Sequence, residues 1–458
     1  MNRSLVVFVS LVGAALASPL RLEAATHTWK GGTGVNFSTA ANWVEGTAPA
    51  AGEGNLVLAF PPMPPSFALT NDVVGLTVQT LSFTEGAYNL SGLPITLTSA
   101  VSFPSSLANT FVQVGIGLAL TGPVTVTIGN NLGLSFDGTV SGAGGLVKAG
   151  AGTLQIFGAN TYQGATSIQE GGVFLFDTAT GLGSAGAGTS VATNALLYVS
   201  GMVTVAEPLT LAAGATLGCG SGSPVWSGPV TLSGPGQSGI NTNTGATLTV
   251  SGLISGAGGL GHGGGGPLVL TNDNTYADAT VTGYGNALLV VNGSQPQSDV
   301  TVANGGSLGG SGVVGVVATN GGGTITPGFG PGVLSTKNLF LILIDTVRID
   351  LNGTSPGTGY DRISAAGNVF LGGSTLQVVL GFTPAPGSVF TIVQATGTVN
   401  ETFAGLAQDA TFQVSGKSFQ IHYGANAVTL TAVCAMADST APTVSAPPAA
   451  TITQSRCN

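Results

Sequence analysis

Residues 141–162 (SGAGGLVKAGAGTLQIFGANTY) return 114 residues later, at 255–276 (SGAGGLGHGGGGPLVLTNDNTY), without a gap and with twelve of twenty-two positions identical. No other feature constrains the fold as much. A recurring unit of this kind marks a solenoid or array, in which each unit buries its apolar face only against its neighbours. A second echo, GPVTV at 122–126 and GPVTL at 228–232, is offset by 106 residues. The two units therefore read as differing by an eight-residue insertion in a loop on one face.

Between the glycines lie short alternating runs. In Leu154-Gln155-Ile156, in 124–128 and in 247–250 an apolar residue recurs at every second position, the period of a strand with one buried face. No stretch of ten residues carries a helical period with caps. Hydrophobic residues make up 43% of the chain and charged residues only 6%, the opposite of a disordered composition. The 75 glycines keep no three-residue period, which excludes collagen. Asn-Gly pairs are not spaced between paired runs as hairpins require. The predicted fold is all-β, a right-handed parallel β-helix. Gly and Asn supply left-handed backbone at its corners, and β-branched side chains stack in ladders. Scarce charge follows, because like charges stacked in a ladder repel. Coils of ~20–25 residues give roughly 17–20 coils. At one place the copies disagree in phase: Thr166 and Ile168 share a face, while Ala279 and Val281 take the opposite one. Either a corner shifts there or the second copy has decayed.

The N-terminus reads as a signal peptide over 1–25, with Arg3 ahead of an apolar run (5–17) too short to span a bilayer. Export to the cell surface or the exterior is the expected localisation, with no integral membrane segment after signal removal. The β-helix is expected over 26–433, with repeat copies near 122–176 and 228–291. The stretch 434–458, with Pro442, Pro447 and Pro448, reads as a flexible tail or the start of a truncated module. Trp29 and Trp43 are assigned to an N-terminal cap, which every solenoid needs over its first coil. Cys434 and Cys457 are placed to pair, leaving Cys219 a lone buried thiol. The nine Lys+Arg are spread singly in a chain of formal charge −9, which argues against nucleic acid and against an anionic membrane.

The search for chemistry finds little. Gly142-Ala143-Gly144 is followed by Val147 where a dinucleotide fingerprint needs glycine, and Lys148 precedes Ala149, not Ser or Thr. GGGTITPGFG at 321–330 has the glycines of a calcium roll and no Asp. His27, His262 and His422 are remote from one another and read as surface or turn residues. The densest charged patch is 345–350. In an unbroken strand Arg348 and Asp350 share its outer face, with Val347, Ile349 and Leu351 inward and Asp345 turned away. Asp361 and Arg362 fall in a turn-like stretch. The expectation is no catalytic site, no nucleophile elbow, no cofactor and no metal.

The repeat itself resembles a known family. The pattern Gly-Leu-x-x-x-Gly-x-Gly-x-Leu, then Asn-Thr-Tyr-x-Gly, is similar to the autotransporter-associated β-strand repeat of large bacterial surface and secreted proteins. The first copy carries it through Gly145, Leu146, Lys148, Gly150, Gly152, Thr153, Leu154, Asn160, Thr161, Tyr162, Gly164 and Thr166. The second carries Gly259, Leu260, Gly264, Gly266, Leu268, Asn274, Thr275 and Tyr276, with His262, Pro267 and Asp278 as departures. Trp29-Lys30-Gly31 with Asn42-Trp43 resembles the opening of such proteins. Pro327-Gly328, then Pro331-Gly332-Val333-Leu334 and Tyr360-Asp361-Arg362-Ile363, resembles their closing stretch. The resemblance implies a passenger-like, adhesin-like structural β-helix whose partners are extracellular polysaccharide or other surface components. The alternative is a carbohydrate-active β-helix, a polysaccharide lyase or hydrolase. Family members often end in an outer-membrane barrel, which needs repeated alternating strands of about ten residues. No such pattern is read here.

Overall fold

In the computed structural model, the described residues are 24–62, 67–104, 110–303 and 305–434. The expected signal segment up to residue 23 and the tail from 435, Cys457 included, lie outside them. The chain winds into a parallel β-helix whose strands stack into four sheets of thirteen, sixteen, nine and eight strands. The first runs from Thr26–Thr28 to Ile254–Gly256 and the second from Ala68–Asn71 to Val399–Asn400. The third runs from Thr204–Val205 to Thr375–Leu380. The fourth begins at Ser294–Gln295 and ends in an antiparallel group formed by Val389–Ala395, Ala427–Val433, Lys417–Tyr423 and Thr411–Val414. The one helical element among the described residues is a single 3-10 turn, Ala40–Asn42.

The alternating runs become rungs. Leu134, Leu154, Val173, Leu197, Leu217 and Ile240 are successive register partners in the second sheet, and all are buried. Their stack is one wall of a core that continues from Trp29 to Ala432. Each rung satisfies its backbone on the rungs above and below, about 4.8 Å away. The longest ladder has sixteen strands, fewer rungs than the expected coils. Two causes account for the difference. Coils near the C-terminal end lengthen to 30 residues, as between Asn338 and Asn368, and the last strands turn back as hairpins.

The register corrects the reading of the eight-residue offset. Val124–Ile128 and Val230–Ser233 both lie in the first sheet, five strands apart. The glycine phrase does not stay on one face: Leu146–Ala149 lies in the first sheet and Gly259–Gly263 in the second. The eight extra residues are no loop. They carry the phrase round one side of the coil. The phase conflict also resolves. Leu146 pairs with Thr166 and Leu260 with Thr280, so no corner shifts. Thr280 and Thr282 are the inward pair of the second copy, buried where Thr166 and Ile168 sit in the first.

At the N-terminal end Trp29 and Trp43 are fully buried, edge to face at 5.1 Å, with Phe37 at 5.5 Å from Trp43. They close the first coil, and the Trp43 indole donates to Phe37 O at 2.7 Å. Cys219 is buried and free, and Cys434 is disulfide-bonded.

Candidate functional site

The repeat phrase builds the same device twice. Gly150 and Gly264 hold φ of 73° and 95°, and a Cβ on either would stand 2.3 Å from Ile128 O or 2.1 Å from Thr242 O. Only glycine combines that conformation with so close an approach of the underlying coil. Gly145 and Gly259 press equally close, on Ala165 O and Ala279 O, both at 2.4 Å. A Cβ on Gly152 or Gly266 would stand 2.2 Å from Gly129 O or 2.4 Å from Ala246 O. Leu146, Leu154, Leu260 and Leu268 fill the core.

The Asn-Thr-Tyr segment then crosses one side without forming a strand. Thr161 N–H donates to Val140 O at 2.8 Å, and Thr275 N–H to Ile254 O at 2.8 Å. The buried Asn side chain staples this irregular rung to both neighbours. Asn160 Oδ1 accepts from Val140 N and Nδ2 donates to Gly181 O, at 2.8 and 2.7 Å. Asn274 accepts from Ile254 N at 2.9 Å. The Tyr162 and Tyr276 rings turn inward and their hydroxyls meet Thr166 and Thr280 at 2.5 and 2.6 Å. These are interior positions with their polar atoms satisfied by the chain itself.

Several interior titratable groups were not foreseen. Lys148 is fully buried, and its ammonium donates to Ala149 O, Gly150 O and Glu170 O at 2.9, 2.6 and 3.1 Å. Burial pulls its pKa down to about 8. In the second copy His262 takes the place, buried, bonding Ile240 O through Nδ1 at 2.8 Å. Glu207 is buried beside this stack and accepts from Thr189 Oγ1 at 3.1 Å, and burial pushes its pKa up to about 7. It borders a cavity of about 360 Å³, shared with Asn160, Gln163 and Ser184.

The histidine reading is thus corrected at two positions. His262 is interior, and His27 is buried against Trp43 with Nε2 3.0 Å from Glu53. A coil corner admits a ring whose nitrogen reaches a backbone carbonyl, which the sequence does not display. His422 is exposed beside Asp409 at 2.9 Å. A further correction concerns the nucleophile pattern: Gly305-Gly306-Ser307-Leu308-Gly309 spells G-x-S-x-G. Ser307 opens a strand, Ser307–Gly310, of the third sheet, so the strand-to-helix turn of an elbow is not formed.

The acidic patch is partly as expected. Val347, Ile349 and Leu351 are buried, and Arg348 pairs with Asp350 at 3.0 Å on the outer face. Asp345 turns in and accepts from Gly323 N at 2.9 Å, Ile342 N at 2.6 Å and Thr319 Oγ1. Asp361 is buried rather than in an open turn. Its carboxylate accepts from Gly332 N and Asp350 N, each at 2.9 Å, tying the closing corner together. Burial raises its pKa to about 7, against the lowering effect of those two bonds. Both carboxylate oxygens are committed to backbone.

These raised pKa values have a consequence for stability. Glu207 and Asp361 start from 4.5 and 3.8 and rise to about 7 in the fold. The folded state therefore binds the extra protons. The stability they contribute is full below their unfolded pKa values and is lost as pH rises through about 7. Lys148 acts in a separate window, between about 8 and 10.5. Urea unfolding is expected to give a higher midpoint at pH 5 than at pH 8, and Glu207→Gln is expected to flatten that slope. An unchanged slope in the variant would remove Glu207 from the account.

Comparison with known proteins agrees with this geometry. Residues 146–173 match the passenger-associated-transport-repeat, a span that covers Lys148, Asn160, Tyr162 and Thr166. The chain is also similar to the adhesin BmaC autotransporter of Brucella suis biovar 1 (strain 1330), with 35% identity over 178 residues. That similarity covers 36% of this chain and 5% of the adhesin.

Proposed function

We propose, from the premise that this chain carries an autotransporter-associated repeat, that it is a secreted or surface-displayed structural β-helix that acts by adhesion and without a catalytic site. The observation that carries the reading is the outer face of the first sheet. Thr125, Val147, Ser167, Ser190, Thr210, Thr231 and Ser255 are successive register partners there. Six of these seven positions bear a hydroxyl, and none bears a charge. Such a ladder offers repeated weak hydrogen bonds along a rigid rod, and many weak contacts on one body sum to firm attachment. Similarity to an adhesin supports the same reading.

Beads coated with the exported chain are expected to adhere to extracellular polysaccharide or to host matrix more than beads bearing an unrelated β-helix. Equal retention of the two would overturn the adhesive reading. The rival is a polysaccharide lyase or hydrolase, favoured by the raised pKa of Asp361 beside Asp350. Reducing-end and unsaturated-product assays separate the two. Activity lost in Asp350→Asn would reverse the ranking.

A further inference from the structure

We infer that the outer face of the second sheet, at residues 153–218, is a binding platform for a neutral glycan chain, with Phe157, Phe174, Phe176 and Tyr198 as its aromatic floor. This inference rests on the adhesive reading and adds to it a second contact face beside the hydroxyl ladder of the first sheet.

The register brings these rings together from three coils. Gln155, Phe174, Tyr198 and Gly218 are successive partners in one outward row. Phe174 and Tyr198 stack nearly parallel, 13° apart with centroids at 5.0 Å. In the next row Phe157 and Phe176 do the same, at 11° and 4.9 Å. Phe174, Phe176 and Tyr198 stand on strands whose alternate residues are sealed in the core, and Phe157 directly follows such a strand, so the rings belong to the exterior. Phe157 is 47% exposed.

One ring is held between the rungs on either side of it. A Cβ on Gly218 would stand 2.6 Å from Cε1 and Cζ of Tyr198 and 2.7 Å from Cε2. Near-equal distances to these three atoms put that point close to the ring axis. The Tyr198 ring therefore covers Gly218 with one face and stacks the other on Phe174. Glycine at 218 leaves the space that lets it do so.

The surroundings select the ligand. No Lys or Arg lies in the strands Thr153–Ile156, Gly172–Phe176, Leu196–Gly201 or Thr216–Gly222, so nothing there attracts a polyanion. Gln155 and the exposed Asp177 flank the rings with hydrogen-bonding groups. The half-exposed Phe157 ring, with amide and carboxylate groups nearby, suits a pyranose ring, whose C–H face packs on an aromatic surface while its equatorial hydroxyls reach sideways.

The test is titration calorimetry of the exported chain with cellohexaose, xylohexaose and mannohexaose, and with an alginate oligomer as the anionic control. Binding of at least one neutral oligomer and not of alginate is expected. Tyr198→Ala and Phe157→Ala are each expected to weaken it on the order of tenfold, with circular dichroism unchanged. Gly218→Ala keeps every ring and displaces Tyr198 from its place against Phe174, and is expected to weaken binding as well. No neutral oligomer bound, or binding indifferent to all three substitutions, overturns the platform. Should the coated beads adhere while no oligomer binds, this inference alone fails and the adhesive reading stands.

Discussion

Gly150→Val is expected to destabilise the chain by more than about 3 kcal/mol, read as a lower urea midpoint. A non-glycine residue in left-handed backbone costs about 1–3 kcal/mol, and a β-branched one is the worst fit. At Gly150 the new Cβ would also stand 2.3 Å from Ile128 O, so the corner must open. Opening it disturbs the carbonyl of Gly150 that holds the buried Lys148 ammonium at 2.6 Å. A buried charge that loses its partners is itself costly, by several kcal/mol. Gly234 is the control. Its φ is 83°, but nothing lies within 4 Å of a built Cβ. Gly234→Asn is expected to change stability by less than about 1 kcal/mol, because Asn tolerates left-handed backbone. Equal effects at the two sites would mean that coil-on-coil approach is not what Gly150 serves.

Trp43→Ala is expected to remove about 3–5 kcal/mol from the N-terminal coils, the usual range for deleting a large buried aromatic. Trp43 is fully buried and meets His27, Trp29 and Phe37. The loss should stay local. A solenoid coil leans only on its neighbours, so a damaged cap frays the end and spares distant coils. Amide exchange should quicken in Thr26–Thr28 and Val57–Phe60. It should stay slow in Thr346–Leu351, near the other end of the stack. Uniform loss of protection along the whole chain would contradict a cap.

Much of this architecture was legible before any coordinates. Alternation in 124–128 and 154–156 gave strands, and the twice-written glycine phrase pointed to coils. The assignment of Trp29 and Trp43 to a cap needed only the requirement that a first coil be covered. What the sequence hid is whatever depends on coil length. Rungs in the second sheet step by unequal numbers of residues, so Phe157 and Phe176, or Phe174 and Tyr198, carry no periodic signal that would show them stacked. The glycine phrase changes face between copies for the same reason. Buried polar groups were hidden differently. Lys148 and His262 look like surface residues by type, and their burial depends on backbone carbonyls that a corner happens to turn inward. Asp361 follows a glycine-rich turn, and nothing local shows that Gly332 N–H, 29 residues earlier, will meet its carboxylate.

The most direct test of the stacked-coil account is a pair of disulfide cross-links on the outer face of the first sheet. Thr210 pairs with Thr231, and Thr231 with Ser255. Disulfides need Cα atoms about 4.4–6.8 Å apart, and adjacent rungs lie about 4.8 Å apart. Oxidation of a Thr210→Cys, Thr231→Cys variant is expected to close the bridge within one chain. The Thr210→Cys, Ser255→Cys variant, two rungs apart, is expected to stay reduced. A bridge in the second variant and none in the first would contradict the register on which the whole account stands.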